Sequence, residues 1–341
     1  MYRHKRKQAR KEVAISKQIK RSEFIADLQM DENPSKIFKV AKGMIKEKQD
    51  ISGVNCLKDS TGRLIIEEEE VKSTWKKYME KLMNEENMWD RDVTTEQKEG
   101  PACKITEREV LNALRMMKQD KAPGLSGISV ELLKAVEDLS VEWLTDLCNS
   151  IIDEGRMPED WKNSILIPVY KGKGDPLECG SYRGIKLLEH AMKVVERVLE
   201  KRIREQAVID NMQFGFMPGK GTTDAIFIVR QVQEKYRSKG KCLYMAFVDL
   251  EKAFDRIPRE VLRWAMRQLK VDEWLVSAVM VMYDGVTTVV RTPFGDSDSF
   301  PVRVGVHQGS ILSPLLFAMV MEAITKNTWQ GYCMSYCMLM I

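Results

Sequence analysis

Between Leu243 and Pro258 the chain hands an apolar run directly to a helix, with a carboxylate at the junction. Leu243, Ala246 and Val248 with their neighbours read as a buried strand, and Pro258-Arg259-Glu260 opens an amphipathic helix with Pro near its first turn. Asp249 therefore falls where a sheet passes into a helix. A carboxylate there suits a hard divalent cation, because Mg²⁺ takes oxygen ligands and draws the rest of its shell from water and phosphates. Taken alone, the same aspartate reads first as a loop residue capping a helix.

The flanking patterns mix both periodicities. Trp75, Tyr78, Met79, Leu82 and Met83 recur at helical spacing, and Thr106 with Glu109 forms a capping-box pattern ahead of Val110, Leu111, Leu114 and Met117. Residues 164–170 and 182–188 read as strands joined by the basic, Gly-rich turn Lys171-Gly172-Lys173-Gly174-Asp175. Helices are expected over 189–207, 222–237 and 312–326, with a hairpin over 286–292 and 299–304. Strands and helices mixed in this order predict an α+β fold. The polar run 90–100 marks a boundary between a basic, helical N-terminal linker region (1–100) and the main domain (101–341).

Charge and cysteines bound the class. Residues 1–50 hold fourteen Lys/Arg against seven Asp/Glu, and residues 51–100 hold eight against twelve. The basic head reads as a phosphate-binding arm, as a solvated helix, or, at Lys5-Arg6-Lys7 and Arg10-Lys11, as a nuclear-entry patch. Seven cysteines without paired spacing fit a reducing compartment, and Cys333 with Cys337 lacks the partners of a zinc site. No apolar run approaches a membrane span and the start is unlike a secretory signal, so an intracellular protein, nuclear or cytoplasmic and without a membrane partner, is expected.

Five blocks stand in a recognisable order. They are Lys121-Ala122-Pro123-Gly124-Leu125-Ser126-Gly127-Ile128; the stretch 161–175 with Ser181-Tyr182-Arg183-Gly184-Ile185; 213–226, which contains Gly219, Gly221, Thr222 and Asp224; Phe247-Val248-Asp249-Leu250-Glu251-Lys252-Ala253-Phe254-Asp255; and 305–317, which contains Gln308-Gly309. Together they resemble the reverse transcriptases, with 247–255 similar to motif A and 305–317 to motif B. The wording is closest to non-LTR, LINE-like retrotransposon enzymes of the RTE type.

That resemblance implies a right-hand polymerase: fingers and an incomplete palm, no thumb, and a helical N-terminal extension. It implies two-metal nucleotidyl transfer with Mg²⁺, with Asp249 and the backbone carbonyl of Leu250 as metal ligands and Asp249 as the catalytic residue. Phe254 takes the place of a ring that excludes a 2′-hydroxyl. Arg183, with Lys171 and Lys173, falls where the family grips the dNTP triphosphate, and Gln308-Gly309 where it packs beside the nascent base pair. Gly219 and Thr222 fall in the block set against the template backbone. RNA template, DNA primer and dNTP are the implied partners; no oligomeric state is implied.

The chain also departs from the pattern. Leu125-Ser126 stands where Pro-Asp usually follows Lys-Ala-Pro-Gly, and Gly221 where a small polar residue is common. The family's Asp-Asp pair, typically within Tyr-Ala-Asp-Asp, is missing, and the chain instead runs from Trp329 to Ile341. Codons for Tyr336-Cys337-Met338-Leu339-Met340-Ile341, read one nucleotide earlier, can spell Leu-Tyr-Ala-Asp-Asp. A frameshift that truncates an active enzyme is therefore expected. A noncatalytic RNA-binding remnant is the alternative reading, and a purely structural helical protein a third.

Overall fold

The computed structural model describes residues 56–59, 61–86, 88–89 and 95–329, with side chains to residue 326. The basic head and residues 330–341 lie outside the described residues. Elements run in chain order as β1 (Leu57–Lys58), β2 (Leu64–Ile65), α1 (Glu68–Leu82), α2 (Glu107–Arg115), α3 (Val130–Ala135) and α4 (Glu137–Glu154). Next come β3 (Asn163–Tyr170), β4 (Tyr182–Leu187), α5 (His190–Gln206), α6 (Thr222–Ser238), α7 (Ala253–Arg256), α8 (Arg259–Gln268) and α9 (Glu273–Val281). The described chain closes with β5 (Thr287–Thr292), β6 (Gly295–Asp296), β7 (Phe300–Pro301) and α10 (Ser313–Trp329).

The strands build one five-stranded mixed sheet ordered β4-β3-β5-β6, with β7 also on β5, besides the small β1-β2 pair. β3 runs antiparallel to β4, pairing Val169 with Arg183 and Tyr170 with Tyr182, and parallel to β5. Period-2 geometry then sets Tyr182, Gly184 and Lys186 on one face of β4 and Arg183, Ile185 and Leu187 on the other. Gly172 and Gly174, both at positive φ, turn the chain between β3 and β4 as expected.

Two apolar cores hold the molecule. The larger lies among α2, α4, α5, α8, α9 and α10. The smaller joins Leu57, Val71, Trp75, Met79 and Met83 to Leu166, Tyr182, Val290 and Phe300. Helix α1 carries that stripe at helical spacing, with acidic residues at its first turn and Lys81 at its last complementing the helix dipole, and Trp75 meets the edge of Tyr182 at 5.0 Å. The segment expected to be linker thus contributes a wall of the sheet's own core. At α2 the expected capping box is present: Glu109 N donates to Thr106 Oγ1 and Thr106 N donates to Glu109 Oε2. Arg202 then holds the Glu109 carboxyl down at about 2, chiefly through its hydrogen bonds.

One element departs from expectation. Residues 241–250 form no strand, and Tyr244, Phe247 and Val248 are 92%, 84% and 83% exposed. A strand is stable only when a neighbour takes its backbone groups and a layer covers its apolar face. Among the described residues neither is offered to this segment, so its apolar pattern stays unburied. Helix α6, which leads into it, buries only Ala225 and leaves Ile226 and Phe227 exposed.

Candidate active site

The best-organised polar cluster surrounds Gln308. Gly309 adopts φ +119°, and a Cβ there would lie 2.4 Å from the Lys186 carbonyl oxygen, so glycine is what lets the loop touch β4. The Lys186 amide donates to the Gln308 carbonyl at 2.7 Å. The backbone that Gly309 meets is the protein's own strand. From the same loop, Gln308 Nε2 donates to both carboxylate oxygens of Asp255, at 2.8 and 2.9 Å.

Asp255 belongs to the short helix α7. Lys252, at φ 52°, turns the chain into it. The helix lies hard against residues 305–306: Val306 N donates to the Phe254 carbonyl at 2.8 Å, and a Cβ on Gly305 would stand 2.6 Å from the Asp255 carbonyl oxygen. Burial raises the Asp255 carboxyl above its ordinary value, and the Gln308 hydrogen bond opposes that rise. Lys186 faces the same recess at 3% exposure, and burial pushes its amine down to about 7. Met83, Gly184, Val302, Val304 and Val306 complete the lining. Lys186 and the part-buried Asp255 share this recess, and the charge of each opposes the other's desolvation only in part.

Behind the loop, Glu196 of α5 accepts from the Ile311 amide at 2.8 Å, and burial pushes its carboxyl up to about 7. Ser310 Oγ accepts from the amides of Leu312 and Ser313, which starts α10. The loop is therefore pinned on three sides: by β4, by α7 and by α5.

The residues expected from sequence fall into separate groups. Asp249 and the adjoining Leu250 carbonyl lie on the exposed segment 241–250, and Asp249 is not among the residues lining the recess. Gln308 thus engages Asp255, not Asp249. Arg183 is exposed on the face of β4 opposite Lys186. Lys171 donates to the Gly180 carbonyl at 2.8 Å; its amine is pulled down by burial and by the neighbouring Lys252 and Arg183, while Asp255 opposes the shift. Lys173 adds to that positive field from the turn. Phe254 is half-buried, stacked on Phe317 at 4.6 Å and met edge-on by Phe216 at 5.7 Å. Gly219 sits at φ 74° and Thr222 starts α6, where Asp224 Oδ2 accepts from Gly221 N at 2.8 Å.

Sequence reasoning missed Asp255 and Lys186 as a pair. Lys186 carried a readable signal, a charge at an inward position of an alternating strand, and Asp255 stood in the motif already quoted. Among the described residues no group of three or more His, Cys, Asp or Glu side chains is placed to hold a metal ion.

Comparison with known proteins completes the picture. Residues 169–338 match the family model described as reverse transcriptase (RNA-dependent DNA polymerase). The chain is 27% identical over 237 residues to the RNA-directed DNA polymerase from mobile element jockey of Drosophila melanogaster, covering 67% of this chain and 25% of that protein. It is 31% identical over 233 residues to the probable RNA-directed DNA polymerase from transposon X-element of the same species, covering 65% and 25%. It is 27% identical over 243 residues to the Pol polyprotein from the type-1 retrotransposable element R2 of Nasonia vitripennis, covering 71% and 22%. The chain spans about a quarter of the length of these curated relatives. Both blocks that meet at the Asp255–Gln308 contact lie inside the matched region, and the chain belongs to the reverse transcriptase family of non-LTR retrotransposons.

Proposed function

We propose that this chain is the fingers and part of the palm of an RNA-directed DNA polymerase of RTE type, acting on an RNA template, a DNA primer and dNTPs. The carrying observation is the pinned Gln308-Gly309 loop, which joins motif A, motif B and the β3-β4 pair through side chains that sequence alone had singled out only in part. In this reading β3 and β4 are the fingers strands. Arg183, Lys171 and Lys173 supply the cationic field for the triphosphate. Gln308-Gly309 forms the floor under the nascent base pair, Phe254 the barrier to a 2′-hydroxyl, and Gly219 and Thr222 the contact to the template.

Metal use is the part of the family's chemistry that the described residues do not fit. Two Mg²⁺ ions would need more fixed oxygen ligands than Asp249 and the Leu250 carbonyl, no cluster of carboxylates stands beside them, and the sequence contains no Asp-Asp pair. This polypeptide by itself is expected not to polymerise at a useful rate.

Primer extension on a homopolymer RNA template with Mg²⁺ tests the proposal. Incorporation at background level is expected. Robust incorporation that Asp249→Ala abolishes would overturn the expectation of inactivity. The second reading, a noncatalytic RNA-binding protein, is favoured by the excess of Lys and Arg in residues 1–50. It requires RNA binding with a steep salt dependence and no dNTP binding.

A further inference from the structure

Phe216 holds a backbone conformation that its own side chain resists. Its φ is 59°, in the left-handed region that a bulky residue rarely adopts, while Gly215 beside it has no positive φ. The surroundings fix it there. Gln213, 3% exposed, donates from Nε2 to the Gly215 carbonyl at 2.9 Å, and Arg204 of α5 donates from Nη2 to the Phe216 carbonyl at 3.4 Å. Arg204 is itself paired with Glu200, one turn earlier on α5. The ring gains no core burial in return, since Phe216 is 52% exposed and belongs to neither apolar core. Strain of this kind persists only where the surrounding structure imposes it, and it gathers at ligand clamps.

What the conformation secures is a ring contact. Phe216 meets Phe254 at 5.7 Å with the two planes 76° apart, and Phe254 lies on Phe317 of α10 at 4.6 Å with planes 14° apart. Stacked rings can slide past one another, and a third ring nearly at right angles opposes the slide. A steric barrier discriminates only if it does not yield to the group it excludes. We propose that Phe216 is a positioning residue that sets nucleotide specificity, by holding the Phe254 ring where a nucleotide's 2′-hydroxyl would meet it. This inference rests on the reading of Phe254 as the barrier to that hydroxyl. It brings a residue of the block 213–226, set by resemblance against the template backbone, into the choice between dNTP and rNTP.

Competition binding on the full chain with an RNA–DNA hybrid tests this. A fluorescent dNTP is displaced by unlabelled dNTP or by rNTP of the same base, and the ratio of the two Kd values is read. Wild type is expected to favour dNTP, and Phe254→Ala to lose that preference. Phe216→Ala should cut the preference by about three- to tenfold, through tighter rNTP binding at an unchanged dNTP Kd, and Phe216→Tyr should retain it. Phe216→Gly should lose the preference as fully as Phe216→Ala yet unfold at a higher temperature than Phe216→Ala, because glycine accepts the positive φ. A residue that only supports the fold would weaken both nucleotides together. That result, or a ratio that Phe216→Ala and Phe216→Gly leave unchanged while Phe254→Ala lowers it, overturns the proposal and leaves the reading of Phe254 standing. A wild type that binds neither nucleotide or prefers neither, or a Phe254→Ala without effect, overturns that reading and this inference with it.

Discussion

Gln308 donates from one nitrogen to both carboxylate oxygens of Asp255, 53 residues away in the chain, inside a recess shared with the buried Lys186. This contact ties the loop ahead of α10 to the short helix α7. It also gives a part-buried carboxylate and a buried amine a common neighbour.

Breaking the contact from either side is expected to destabilise the fold. Asp255→Ala removes the acceptor of Gln308 Nε2 and one charge that favours the Lys186 ammonium, and should cost about 1–3 kcal/mol. Gln308→Ala should cost about 1–3 kcal/mol. Because the two changes remove one interaction, the double variant should fall short of the sum by about 1 kcal/mol or more. Urea denaturation of the four proteins checks this, and strict additivity would deny the coupling.

Gly309→Ala meets two obstacles at once, a positive φ and a Cβ 2.4 Å from the Lys186 carbonyl oxygen. A cost of about 2 kcal/mol or more is expected, with faster amide exchange at Lys186, whose N–H donates to Gln308. A neutral Gly309→Ala would mean that the loop does not rest on β4.

Glu196 gives a pH dependence with a definite sign. Its folded carboxyl is pushed up to about 7, above the ordinary value of 4.5, so the folded state binds more protons than the unfolded one between those limits. Its contribution to stability is complete below pH 4.5 and declines as pH rises through 7. Glu196→Gln keeps an oxygen to accept from the Ile311 amide and removes the titration. The variant should gain stability relative to wild type at pH 8 compared with pH 5, measured as a denaturation midpoint at each pH. An unchanged difference would contradict the buried carboxyl.

Trp75 tests whether the early helix belongs to the same folded unit as the sheet. At 3% exposure against Tyr182, its replacement by Ala should cost about 3–5 kcal/mol in a single cooperative transition. A separate, earlier transition for α1 would show that the two fold apart.

Local patterns in the sequence translated well where the elements stabilise themselves. The Thr106–Glu109 box, the β3-turn-β4 hairpin with its two glycines, and helices α5, α6, α8 and α10 follow from caps, turn residues and periodicity. The run 243–248 has equally clear strand chemistry and forms no strand, because a strand is completed by neighbours that its own residues do not encode. The candidate site divides along the same line. The Gln308-Gly309 loop ahead of α10 was legible. The partnership of Asp255 with Gln308 and Lys186 was not, since it arises only when α7, β4 and the loop pack together.

The polymerase reading proposes that Arg183, with Lys171 and Lys173, holds the triphosphate and that Gln308 lies beneath the nascent base pair. Its most direct measurement is equilibrium binding of a fluorescent dNTP to the full chain in the presence of an RNA–DNA hybrid. Saturable binding is expected, weakened about tenfold by Arg183→Ala and by Gln308→Ala. No binding, or binding that both variants leave unchanged, would contradict it.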